Sequence, residues 1–205
     1  MKFVKPGFND PIHDAQNVFR FILNAMSMPS SLQSMPSELS FGQANAATSQ
    51  ILLTLTDSTT PLWLSDSFQA DSELTQNLRF HANTPLTTHP DNASFALINS
   101  EQDTDVSQFC WGSEEYPDTS TTVIVQVSSL SSGVGLELSG PGIDGRASIK
   151  VEGIHQSLLN QIMAISESQP LGVDVLLTCK NQFMALPRTT RITLANREDS
   201  SCTLR

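Results

Sequence analysis

The sequence predicts an α/β domain with a mixed sheet in three layers, and three observations carry that expectation. Segments with helical apolar spacing alternate with β-branched runs early in the chain, and strand patterns cluster later. One run, "GVDVLLTC" at residues 172–179, is almost continuously apolar, which suits a strand covered on both faces. The 205 residues suffice for one α/β domain spanning the chain, with residues 1–9 and 196–205 as loose termini.

The elements follow in order. "DPIHDAQNVFRFILNAMS" reads as a helix that Asp10 caps and Pro11 opens, with Ile12, Ala15, Phe19, Ile22 and Met26 as its buried face. "SLQSMPSELS" is a polar loop or short strand, and "GQANAATSQILLTLTD" a second helix. "TPLWLS" is a short strand, "SELTQNLRFHAN" a third helix, "ASFALI" a strand, and "DVSQFCWG" a helical turn in an acidic connection. "TTVIVQVSSL" (121–130) alternates and is β-branched, so it reads as one strand. "GLELSG" and "RASIKV" read as a strand and its return, and "HQSLLNQIMAISES" as a helix with Leu158, Leu159, Ile162, Met163 and Ile165 inward. "QFMALP" and "TRITL" complete the strands, and "ANREDSSCTLR" reads as a polar tail.

Charge narrows the function. The formal net charge is −10, which disfavours non-specific binding to nucleic acid or to an anionic membrane surface. No Lys or Arg lies between Arg79 and Arg146, an interval with nine acidic residues, so a partner of the middle of the chain is not expected to be anionic. Cys110, Cys179 and Cys202 are scattered and odd in number, as expected of reduced thiols in a cytosolic protein. "MKFVKPGFND" lacks the apolar stretch of a signal peptide, and no run approaches the ~18 apolar residues of a membrane span.

No motif marks an active site. In "LELSGPGIDG" the glycines Gly140 and Gly142 could form an anion nest from backbone N–H groups. A phosphate cradle needs a helix to follow, and "RASIKV" is strand-like, so a turn between strands is the default. Arg79 and His81 sit near a helix C-terminus, where the dipole favours cations; anion binding is the alternative. Arg188 follows Pro187 at a strand end, as a solvated edge residue, a salt-bridge partner or an anion ligand. His13, His81, His89 and His155 show no zinc spacing, there is no GxSxG elbow, and neither Lys150 nor Lys180 stands out as a Schiff-base lysine.

Five blocks in order resemble one family. "DAQNVFRFILNAMSMP" (14–29), "TSQILLTLTDSTTPLWL" (48–64), "LRFHANTPL" (78–86), "LELSGPGI" (136–143) and "PLGVDVLLTCKNQFMALPRTT" (170–190) are similar to the H subunit of bacterial carbon–phosphorus lyase, the PhnH family. The likeness runs from about residue 11 to 192. Ser30 departs from it where the family often has glycine, and residues 101–118 are the least family-like. The resemblance implies an α/β/α fold similar to the large domain of pyridoxal-phosphate transferases, without that cofactor. It implies a cytoplasmic subunit, homodimeric alone, that joins subunits G, I and J in the core complex that degrades alkylphosphonates. That complex attaches the phosphonate to the ribose of ATP, and radical chemistry on an iron–sulfur cluster in the J subunit later breaks the C–P bond. The family has no established catalytic residue to carry over. Three scattered cysteines cannot supply the usual cluster ligands, so this chain is not the radical subunit.

Two readings of its role follow. One is a non-catalytic interaction subunit. The other is a small-anion-binding or catalytic subunit acting on a phosphonate or phosphorylated intermediate through Arg79, His81, Arg188 and the Gly140–Gly142 loop.

Overall fold

A computed structural model describes residues 4–195 of the chain; Cys202 and nearly all of the polar tail lie outside them. The helices are α1 (Pro11–Ser27), α2 (Ala46–Leu55), α3 (Asp66–Gln69), α4 (Ser72–Ala82) and α5 (Gln156–Ala164). The strands are β1 (Gln33–Ser34), β2 (Leu62–Leu64), β3 (Phe95–Asn99), β4 (Thr122–Gln126), β5 (Ser129–Ser139), β6 (Ala147–Glu152), β7 (Asp174–Cys179), β8 (Gln182–Leu186) and β9 (Arg191–Leu194).

Six strands form a mixed sheet in the order β1-β8-β7-β4-β3-β2. β2, β3, β4 and β7 run parallel, while β8 and β1 are added antiparallel. Side chains alternate across this sheet, so its longer strands feed two cores. Leu97, Ile124, Leu176 and Phe183 meet α1, α2, α3 and α4 on one face. Ile98, Val123, Val125, Val175, Leu177 and Met184 face the other way. There they meet α5 and a three-stranded antiparallel sheet, β6-β5-β9, through Leu136, Leu138, Val151, Leu158 and Ile162. Each such side chain contributes ~1.5–3 kcal/mol on burial. The "GVDVLLTC" run is covered on both faces, as its composition requires.

Three sequence expectations need correction. The ends of α1 are as read: Asp10 accepts from the amides of Ile12 and His13, and Pro11 opens the helix. Its inward face is rotated, because Val18, Ile22 and Ala25 are buried while Ile12 is 69% and Phe19 44% exposed. The apolar arc of α1 is wider than the face its neighbours cover, and Ala25 lies on the covered side. Residues 121–130 are not one strand. The amide of Val127 donates to Thr178 in the large sheet at 2.9 Å, and that of Ser128 to Glu152 in the small one at 3.0 Å. The chain changes sheets between two consecutive residues, which β-propensity does not register.

The segment before α1 is also not loose where it is described. Lys5 donates its amide to Asn77 Oδ1 at 2.9 Å, pairs its Nζ with Glu73 at 2.6 Å, and meets His81 Nε2 through its carbonyl at 2.9 Å. Phe8 then packs on the helical core. Residues 5–8 thus form a strap tied to α4.

Candidate functional site

Ligands of open α/β sheets sit beyond the carboxyl ends of the parallel strands, where a helix N-terminus offers N–H donors. Here α2 brings its N-terminus to the carboxyl ends of β4 and β7, and the chain fills that place itself. Asn45 caps α2, accepting from the Thr48 amide at 2.8 Å, while its own amide donates to Gln126 Oε1 at 2.8 Å. The Ala47 amide donates to the Lys180 carbonyl at 2.9 Å. Thr48 and Thr178 share a hydroxyl hydrogen bond of 2.7 Å, and Gln126 Nε2 donates to the Gln43 carbonyl at 2.9 Å. The amides of Asn45, Ala47 and Thr48 are therefore already matched to acceptors from the same chain, which disfavours an anion at those three donors.

The glycine loop is the expected turn, between β5 and β6, which pair Leu138 with Ala147. Its glycines serve close approach. A Cβ on Gly142 (φ +80°) would lie 2.1 Å from the Ser27 carbonyl oxygen, and one on Gly140 2.9 Å from that of Thr189. The turn is seated on the end of α1 and on the loop before β9.

Arg188 is neither a solvated edge residue nor a free anion ligand. Its Nε and one terminal nitrogen fork onto Asp174 at 3.2 and 2.6 Å, and both side chains are only 15% exposed. Its other terminal nitrogen donates to the Pro117 carbonyl, and its amide to Asp174 Oδ1 at 2.8 Å. Asp174 escaped the sequence reading, although its signal is present: an acid inside an apolar, two-faced strand requires a partner. The pair borders a cleft of about 640 Å³ that Pro117, Pro170 and Pro187 also line.

Arg79 and His81 lie on the last turn of α4, as expected. His81 stacks on Phe41 with ring centroids 5.6 Å apart, and a Cβ on Gly7 would meet its ring at 2.9 Å, so it holds the strap. Arg79 is exposed. Among the described residues, no hydrogen bond, ion pair or ring contact links Arg79 or His81 to Arg188 or the glycine turn.

Other chemistry is sparse. Among the described residues no three His, Cys, Asp or Glu side chains group to hold a metal, and no helix is long and apolar enough to cross a membrane. The Cys179 thiol donates to the Ser128 carbonyl at 3.1 Å, and burial pushes its pKa up, away from a reactive thiolate.

One known relative resembles this chain along nearly all its length, and a second along part of it. A relative in Rhizobium meliloti strain 1021, the subunit PhnH of alpha-D-ribose 1-methylphosphonate 5-triphosphate synthase, is 33% identical over 192 residues, covering 90% of this chain and 93% of that protein. A candidate C–P lyase subunit protein of Stutzerimonas stutzeri, HtxG, is 39% identical over 83 residues, 40% of this chain and 43% of its own. The model of the bacterial phosphonate metabolism protein family PhnH matches residues 6–193, and this chain belongs to that family.

Proposed function

We propose that the chain is a non-catalytic interaction subunit of the carbon–phosphorus lyase core complex, which converts an alkylphosphonate and ATP to a ribose triphosphonate before the C–P bond is cut. The observation that carries this reading is the family match over residues 6–193, with the Rhizobium relative named as a synthase subunit. The closed helix N-terminus above β4 and β7 supports the non-catalytic role, since the usual phosphate position is taken by Asn45, Gln126 and Lys180. The fork of Arg188 on Asp174 supports it too.

In this reading the subunit is cytoplasmic, homodimeric when alone, and assembles with subunits G, I and J. Its single domain is of the α/β/α type seen in the large domain of pyridoxal-phosphate transferases, without the cofactor. The test is co-expression with G, I and J followed by purification on a tag carried by I. Stoichiometric recovery of this chain is expected. A chain that stays apart from all three at micromolar concentration overturns the proposal. Titration of the isolated protein with ATP and methylphosphonate is expected to give no heat of binding.

A further inference from the structure

The carboxyl ends of β2 and β3 open into a second place at the same sheet edge, and this one is not filled. A cleft of about 500 Å³ there is lined by Asp66, Asp103 and Asp105 together with Trp63 and Thr104. Among the described residues the Asp66 carboxylate has no hydrogen bond or ion pair. Asp105 accepts only the Ser107 amide, at 2.9 Å, and Asp103 faces His155 Nδ1 at 3.6 Å. No Lys or Arg lines the cleft.

A second observation points inward. Thr104 is only 7% exposed, yet its hydroxyl makes no hydrogen bond among the described residues. Thr104 lines the cleft, and among the described residues its hydroxyl is not one of the fully enclosed orphans, which are those of Ser67, Ser120 and Thr190. Three carboxylates and a waiting hydroxyl call for a cationic donor. The indole of Trp63, held edge-to-face by Phe109 at 5.3 Å, adds a surface on which a planar cation can stack. A guanidinium matches these groups in kind: it forks onto carboxylates, donates several hydrogen bonds and stacks on aromatic faces. The Asp103 side chain is 66% exposed, so the negative charge continues onto the outer surface.

We infer that this cleft takes an arginine side chain carried by another subunit of the complex, an inference that rests on the interaction-subunit reading. The test compares the wild-type chain with the triple variant Asp66→Asn, Asp103→Asn, Asp105→Asn, each co-expressed with G, I and J. The variant is expected to assemble about tenfold more weakly at low salt, with the gap closing at high salt. Failure of the wild type to assemble overturns the subunit reading and this inference with it. Equal assembly of variant and wild type overturns the cleft alone.

A direct probe needs no partner. A short peptide with one arginine flanked by glycines is expected to quench the fluorescence of the isolated wild type, and to leave the triple variant and Trp63→Phe unchanged. Quenching that survives in the triple variant, or the same affinity for free methylguanidinium as for the peptide, overturns the assignment. Matched thermal melts show that the variants are folded.

Discussion

The Arg188–Asp174 pair separates a structural arginine from an anion-binding one. In Arg188→Ala the Asp174 carboxylate, 15% exposed in the wild type, keeps the residue 188 amide but loses the fork at 3.2 and 2.6 Å. Breaking a buried pair costs ~3–5 kcal/mol, and the remaining amide and the neighbouring open cleft place this one near ~3 kcal/mol. For a domain of this size that lowers the melting temperature by roughly 6–12 °C. Asp174→Asn is expected to cost a similar amount, because it strands the guanidinium. The double variant Arg188→Met, Asp174→Leu is expected to lose less than the two singles together, since no charge is left unpaired. Thermal melts of the four proteins at neutral pH, with assembly assays on each, decide the matter. An Arg188→Ala protein that melts within about 1 °C of wild type while the complex loses activity would refute the structural role and restore the anion site.

Further outcomes follow from the glycines, the strained serine and the strap. Gly142→Ala places a Cβ 2.1 Å from the Ser27 carbonyl at φ +80°, whereas Gly145→Ala, at φ +67°, meets nothing within 4 Å. Left-handed strain alone costs ~1–2 kcal/mol, so Gly145→Ala should lose about that and Gly142→Ala roughly twice as much in urea unfolding; equal losses would show that the seat on α1 is slack. Ser30 holds φ +80°, and glycine there relieves ~1–2 kcal/mol of strain while adding ~0.5–1 kcal/mol of unfolded-chain freedom, so Ser30→Gly should gain ~0.5–1 kcal/mol, and a loss would contradict the strain. The Glu73 carboxyl lies below its usual 4.5 because Lys5 and the Gly42 amide bind it, so its contribution is present above that value and fades as pH falls through the lowered one. The stability gap between wild type and Glu73→Gln is therefore expected at pH 7 and should vanish in acid melts; a gap independent of pH would exclude the ion pair as its source.

What could be read from the sequence was what local chemistry dictates. Asp10 and Pro11 mark the start of α1 because capping is decided within four residues, and the strand-like "RASIKV" after the glycines identified a turn without any tertiary knowledge. What could not be read depends on distant partners. Ile12 and Phe19 share helical spacing with Ile22, and only the position of α2 and β8 decides which stripe is covered. Arg188 stands out in the sequence, but its partner lies 14 residues upstream at the start of β7, so its charge looks available when it is not. The three aspartates of the β2–β3 cleft come from two segments 37 residues apart at the nearest, and along the sequence only an acidic connection shows.

The two halves of the sheet edge explain why a family tied to phosphonate chemistry carries so acidic a chain. Over β4 and β7 the amides of Asn45, Ala47 and Thr48 already end on Gln126, Lys180 and the Asn45 side chain, which takes three donors away from a phosphate. Over β2 and β3 the edge is open but lined by Asp66, Asp103 and Asp105, which repel one. A net charge of −10 adds long-range repulsion of phosphorylated intermediates. The same field attracts basic protein surfaces and speeds their encounter, which is the asymmetry that the proposed role as an interaction subunit calls for.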